Sequence, residues 1–148
     1  MKKNIALLAA GSIIVVLLGV IFIMFPSGIA NAPTTSDGAA GIADLISVSA
    51  PLKNATISSP LSVTGQARGN WYFEASFPVV LKDAQGAIIA QVPAQAQGEW
   101  MTTDFVPFVA ALTFPAQTLG SKGTLVLKKD NPSGDPERDQ SVEIPVTF

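Results

Sequence analysis

The sequence has no cysteine and no histidine among its 148 residues. Without cysteine there is no disulfide to staple an exported domain and no thiol to carry a lipid, so any folded part must rest on a packed apolar core. Without histidine the Ser-His-Asp and Cys-His constellations, imidazole zinc sites and the commonest general base are excluded together. Carboxylates, lysines and hydroxyls are what remains for chemistry. Charge is sparse as well: 14% of the residues are charged, against roughly 25% in an average soluble domain.

The missing charge is explained at the N-terminus. After the basic tip Met1 to Asn4 comes Ile5 to Phe25, 21 residues without a charged side chain, diluted only by Gly11, Ser12 and Gly19. As a helix this run would extend roughly 31 Å, close to the hydrocarbon thickness of a bilayer. A cleaved signal peptide is the alternative, with Ala30-Asn31-Ala32 as its small-residue site. The run exceeds the usual apolar core of about 7 to 15 residues, and Pro33 directly after the cut makes a poor substrate, so a retained transmembrane anchor is expected. Lys2 and Lys3 precede the run and no basic residue follows until Lys53. That asymmetry predicts a single-pass protein of a cytoplasmic membrane with its C-terminal part extracytoplasmic. Setting aside the two N-terminal lysines, seven basic residues face eleven acidic ones, a balance that argues against nucleic acid as a partner.

Residues 26–44, "PSGIANAPTTSDGAAGIAD", carry no periodicity and read as a flexible tether. From Leu45 onward short β-rich runs alternate with Gly, Asn, Asp and Pro clusters. Predicted strands cover Leu45 to Ser49 with Ala55 to Ile57 (a first strand interrupted by Pro51), Leu61 to Ala67, Trp71 to Leu81 and Ala87 to Pro93. Others cover Glu99 to Thr103, Val106 to Phe114, Thr124 to Lys129 and Ser141 to Thr147. Seven or eight short strands with turn signals every 8 to 12 residues is the pattern of an all-β, immunoglobulin-like sandwich, here over residues 45–148. Pro78, Pro107 and Pro145 would mark edges or bulges.

Alternation along the third predicted strand places Trp71, Phe73, Ala75, Phe77, Val79 and Leu81 on one apolar face, and Tyr72, Glu74, Ser76, Pro78 and Val80 on the other. Glu74 is thereby expected outside the core, as a solvated or salt-bridged side chain. Trp71, Phe73, Phe77, Trp100, Phe105 and Phe108 are expected inside it. A competing expectation leaves one tryptophan exposed to stack on a cell-wall sugar.

The stretches "SPLSVTGQARGNW", "NWYFEASFPVVLKDAQG", "GEWMTTDFVPF" and "GTLVLKKDNPSGDPERDQSVEIPV" resemble the immunoglobulin-like, GerM-associated domain family of bacterial spore-germination and other envelope proteins. The resemblance runs from about Ile46 to Phe148. Its matching positions include Trp71, Phe73, Glu74, Asp83, Gly86, Trp100, Phe105, Phe108, Asn131, Pro132, Ser133 and Gly134. It implies an extracytoplasmic β-sandwich without enzymatic activity and an adhesive, ligand-binding or scaffolding role. No GerM domain accompanies it in this sequence, so the resemblance carries over the module and not the pathway.

Other signals are weaker. Asp130, Asn131, Asp135 and Asp139 could be imagined around calcium, but their spacing departs from the helix-loop-helix calcium pattern, and a solvated hairpin loop is the simpler reading. Asn54-Ala55-Thr56 matches a glycosylation triplet by chance in a bacterial context. Ser121 and Lys122 are adjacent loop residues with no reason to face each other. Glu74 with Glu99 or Asp104 could serve a small wall hydrolase, which needs two acids across a cleft. Thus no catalytic residue, cofactor or metal is expected. In an immunoglobulin-like strand order the turn at Arg68 and Asn70 and the loop before the last strand fall at one end. That end would gather Arg68, Asn70, Lys129, Asp130, Asn131, Ser133, Asp135, Glu137 and Arg138 into a partner-binding patch for an envelope protein or cell-wall glycan. Alanine at Arg68 and Arg138 is expected to leave folding nearly unchanged.

Overall fold

A computed structural model of the chain describes residues 41–148. The expected anchor, its basic tip and most of the tether lie outside the described residues. Among the described residues no helix is long and apolar enough to cross a membrane.

Seven antiparallel strands form the domain: β1 (Ile46–Ala50), β2 (Leu61–Arg68), β3 (Ser76–Lys82), β4 (Ile88–Ala96), β5 (Phe105–Leu112), β6 (Lys122–Lys128) and β7 (Ser141–Thr147). They follow the spatial order β1-β2-β5-β4-β3-β6-β7. β4 is the strand that changes layers. It pairs with β3 along its length, yet meets β5 only where Gln95 and Ala96 lie opposite Val109 and Phe108. The ladder therefore folds over at β4, and inward residues of β3 face those of β5: the Phe77 and Phe108 rings pack edge to face with centroids 5.0 Å apart. On the far side the chain after β1 crosses to β7, where Thr56 pairs in parallel with Thr147 and Ile57 N donates to Thr147 O at 2.8 Å. The expected first strand broken at Pro51 is thus one segment divided between the two layers, and the sandwich is almost closed into a barrel.

Period-two patterning accounts for the sheets. Along β5 burial alternates through Val106, Phe108, Ala110 and Leu112, and along β6 Gly123, Leu125 and Leu127 face inward. The prolines sit where a ladder lacks a donor site. Pro78 lies opposite Pro93, one residue before β3 begins to pair with β6. Pro145 lies in β7 with its carbonyl accepting from Asn54 N.

The region from Trp71 to Ala75 departs from the sequence expectation. Gly69–Trp71 form a 3-10 turn, and Glu74 and Ala75 adopt φ of 49° and 63°, left-handed values rare for residues with a side chain. They close a two-residue turn in which Phe73 and Ser76 exchange backbone hydrogen bonds of 3.0 and 3.1 Å. The strand therefore starts at Ser76 rather than Trp71, and the faces assigned to residues 71–75 are corrected. Phe73 is 42% exposed and not core. Glu74 is exposed because it caps a turn, not because it alternates on a strand. Tyr72, expected on the outer face, is buried. Glu99 to Thr103, expected as a strand, is an irregular loop. Trp100 and Phe105 are only half-buried, whereas Trp71, Phe77 and Phe108 are enclosed. Ile42–Asp44, assigned above to the tether, form a 3-10 turn leading into β1.

Phe77 is the centre of an aromatic cluster. Its ring meets those of Trp71 at 6.5 Å, Tyr72 at 5.2 Å and Phe108 at 5.0 Å, all edge to face. Such pairs add about 0.5 to 1.5 kcal/mol each beyond burial. The Tyr72 hydroxyl donates to Val106 O at 2.7 Å, giving the one polar atom of that ring an acceptor inside the core. Phe77→Ala should lower stability by about 3 to 5 kcal/mol in urea unfolding, whereas Phe73→Ala at the exposed turn should cost under about 1 kcal/mol.

Burial pushes the Tyr72 phenol up from its ordinary value of 10.0 to about 12, opposed in part by the Ala67 backbone. The neutral phenol is the form the fold favours. Its contribution is therefore complete below pH 10 and is lost as pH rises toward 12. Unfolding midpoints between pH 9 and 12 should fall more steeply in the wild type than in Tyr72→Phe.

Candidate functional site

Three irregular segments meet at one end of the sandwich: the Gly69–Trp71 turn, the 97–104 loop between β4 and β5, and the 129–140 loop between β6 and β7. The first two are in close contact, since a Cβ at Gly69 would overlap the carbonyl oxygens of Trp100 and Thr102. Glycine is required there by space, and larger residues would displace the loop. The third segment is tied to the first by Asp130 N, which donates to Trp71 O at 3.0 Å.

Arg68, at the end of β2, braces this region. Its Nε donates to Asp44 O at 3.2 Å and its Nη1 to Thr103 O at 3.0 Å. The guanidinium lies 4.1 Å above the centre of the half-buried Phe105 ring, a cation–π arrangement. One side chain thus joins the start of the domain, the end of β2 and the 97–104 loop. That loop is further fixed from within: Met101 N donates to Glu99 Oε1 at 3.1 Å, Asp104 N to Thr102 Oγ1 at 3.1 Å and Thr102 N to Trp100 O at 2.8 Å.

The 129–140 loop is organised around Asn131. Its Nδ2 donates to Asp135 O at 2.8 Å and to Asp139 Oδ1 at 2.7 Å, while its Oδ1 accepts from Ser133 Oγ at 2.6 Å. Gly134, with φ of 67°, turns the chain so that its N–H reaches Asn131 O at 3.1 Å. Asp135 then caps the 3-10 turn Pro136–Arg138 through Glu137 N at 3.1 Å. The Arg138 Nε to Asp135 Oδ2 pair, at 3.6 Å and well exposed, adds little in water. Of the side chains considered for calcium, Asn131 directs its amide nitrogen, a donor, at Asp139 Oδ1, and the Asp135 carboxylate is turned to Glu137 N and Arg138. Among the described residues no group of three or more His, Cys, Asp or Glu side chains is placed to hold a metal ion.

Two clefts result. Arg68 and Asn70 line one of about 210 Å³ with Asp44, Leu45, Thr102 and Thr103. Lys129, Asp130, Asn131, Ser133 and Arg138 line another of about 150 Å³ with Pro132. Asp135 and Glu137 lie outside both. Each cleft holds one carboxylate, and Glu74, Glu99 and Asp104 line neither. Asp83 and Gly86 belong to the opposite end of β3, where Asp83 Oδ1 accepts from Gln85 N and Ala87 N at 2.9 and 2.8 Å and Gly86 takes φ of 82°. Their part is to close the β3–β4 turn. Of the two tryptophans only Trp100 is partly accessible; Trp71 is wholly enclosed, its Nε1 without a hydrogen-bond partner. Sequence reasoning missed Asp44, Thr102 and Thr103 as neighbours of Arg68. The one local sign was Thr102-Thr103-Asp104, a hydroxyl two residues before an amide it can accept from.

An antiparallel two-layer sheet with β1 and the 54–57 segment divided between layers, and with loops braced at one end, defines an immunoglobulin-like domain. The chain belongs to the family described as the immunoglobulin-like domain of bacterial spore germination, whose model matches residues 45–136. No curated protein and no solved structure matches it.

The bracing role of Arg68 changes the expected effect of its removal. Arg68→Ala should cost about 1 to 2 kcal/mol of stability in urea unfolding, from two lost hydrogen bonds and the cation–π contact. Arg138→Ala should cost under about 0.5 kcal/mol.

Proposed function

We propose that the chain is a non-enzymatic, membrane-anchored, extracytoplasmic module that binds or scaffolds at the bacterial cell envelope, in the setting of spore germination that the family description names. The observation that carries this reading is the prearranged end of the sandwich. Asn131 and Arg68 hold two neighbouring loops by internal hydrogen bonds, leaving Glu137 and Arg138 outward. Loops fixed before a ligand arrives lose little freedom on binding, which is how a rigid scaffold presents a recognition surface. The single carboxylate in each of the two clefts supports a binding role over glycosidic hydrolysis, which uses a pair. Anchoring rests on Ile5 to Phe25 and the lysines before it. The partner is an envelope protein or a cell-wall glycan.

The test is retention of purified peptidoglycan and of solubilised envelope proteins by the full chain held in lipid nanodiscs. Wild type should retain one of them, and a doubly charge-reversed variant, Glu137→Lys with Arg138→Glu, should lose about tenfold in affinity if the partner is a protein docking on this end. Absence of retention of either material would contradict the reading.

A further inference from the structure

The cleft between Asp44, Leu45, Arg68, Asn70, Thr102 and Thr103 has the make-up of a ligand subsite. Its volume of about 210 Å³ falls below the roughly 300 to 1,000 Å³ of clefts that engulf a drug-sized molecule. It therefore fits one ring of a longer ligand.

The chemistry of its walls narrows the class. One carboxylate and one guanidinium balance in charge, so neither an anion nor a cation is selected. The guanidinium is also already engaged: two of its N–H groups go to Asp44 O and Thr103 O, and its face rests on Phe105. It is a fixed wall with further N–H groups to donate. Asn70 is exposed, and its side-chain amide makes no hydrogen bond among the described residues. An amide offers both a donor and an acceptor, as do the hydroxyls of Thr102 and Thr103. Leu45 supplies apolar surface, and half-buried Trp100 with exposed Met101 precedes Thr102 on the same loop. Paired donors and acceptors beside an apolar wall match a neutral polyhydroxylated ring with an amide substituent.

The geometry is also prebuilt. The closeness of Gly69 to Trp100 and Thr102 fixes one wall against the other, and the bond from Asp104 N to Thr102 Oγ1 holds the loop from within. A site whose walls are held by a second layer of contacts keeps its shape without ligand. We propose that this cleft binds one residue of an N-acetylated amino-sugar chain. This deepens the reading above and rests on it.

The probe is the N-acetylglucosamine tetramer, titrated into isotopically labelled full chain in nanodiscs, since detergents with sugar head groups would compete. Saturable shifts of the Asn70, Thr102 and Thr103 amides are expected, with half-saturation in the millimolar range. Asn70→Ala should weaken binding about tenfold while leaving the unfolding midpoint unchanged, because its side chain braces nothing. Thr103→Val should weaken it in the same direction. No saturable shift, or shifts confined to residues 129–140, would overturn the inference. If the tetramer fails while a discrete envelope protein is still retained, the inference falls and the binding-module reading stands; if neither is retained, both fall.

Discussion

The edge-to-face packing of Phe77 between Trp71, Tyr72 and Phe108 is the contact on which the rest of the domain depends. A chain with no cysteine has no covalent cross-link to hold two sheets together, and net stabilities of small domains amount to only about 5 to 15 kcal/mol. The cluster supplies that link. Phe77 comes from one layer, Phe108 from the other, and Trp71 and Tyr72 from the turn that joins them. Tyr72 extends it with a hydrogen bond to the backbone of β5, so apolar burial and polar satisfaction are achieved by one side chain.

From that core the order of the loop-bearing end follows mechanically. Trp71, locked by Phe77, presents its carbonyl to Asp130 and so fixes the root of the 129–140 loop. Gly69, two residues earlier, accepts the 97–104 loop against its bare backbone. Arg68 then clamps that same loop to the start of the domain. The sequence Arg68-Gly69-Asn70-Trp71 thus carries a clamp, a contact surface, an exposed amide and a core anchor in succession. Sandwich edges are handled by separate means: β7 is covered by the 54–57 segment, and Pro93 interrupts the donors of β4.

Where side chains alternate the strands were legible in the sequence, as in "LSVTG" and "SVEIPV", because period-two patterning and flanking turn residues agree there; "TLVLK" was legible instead as a short apolar run between turn residues, and Leu125, Val126 and Leu127 are all buried. The divided first strand was legible from Pro51. Residues 71–75 were misread because their aromatics also alternate, while the turn that breaks them uses Glu74 and Ala75 in left-handed conformations that normally call for glycine or asparagine. No local signal marks such a turn when the tertiary fold imposes it. The candidate site was legible in part. Loop position followed from strand order, but the partners of Arg68 lie 24 and 35 residues away, a separation no spacing rule covers. Its engagement with carbonyls and a ring makes it a brace as well as part of the cleft wall.

The aromatic core fixes the loop-bearing end as part of the folded domain rather than as a mobile fringe. Hydrogen exchange at the Asp130 amide, which joins Trp71 to the 129–140 loop, tests this most directly. The account predicts protection close to that of the Leu125 and Leu127 amides in β6, and its loss in Phe77→Ala. Exchange of Asp130 as fast as a freely exposed loop amide in the wild type would contradict it.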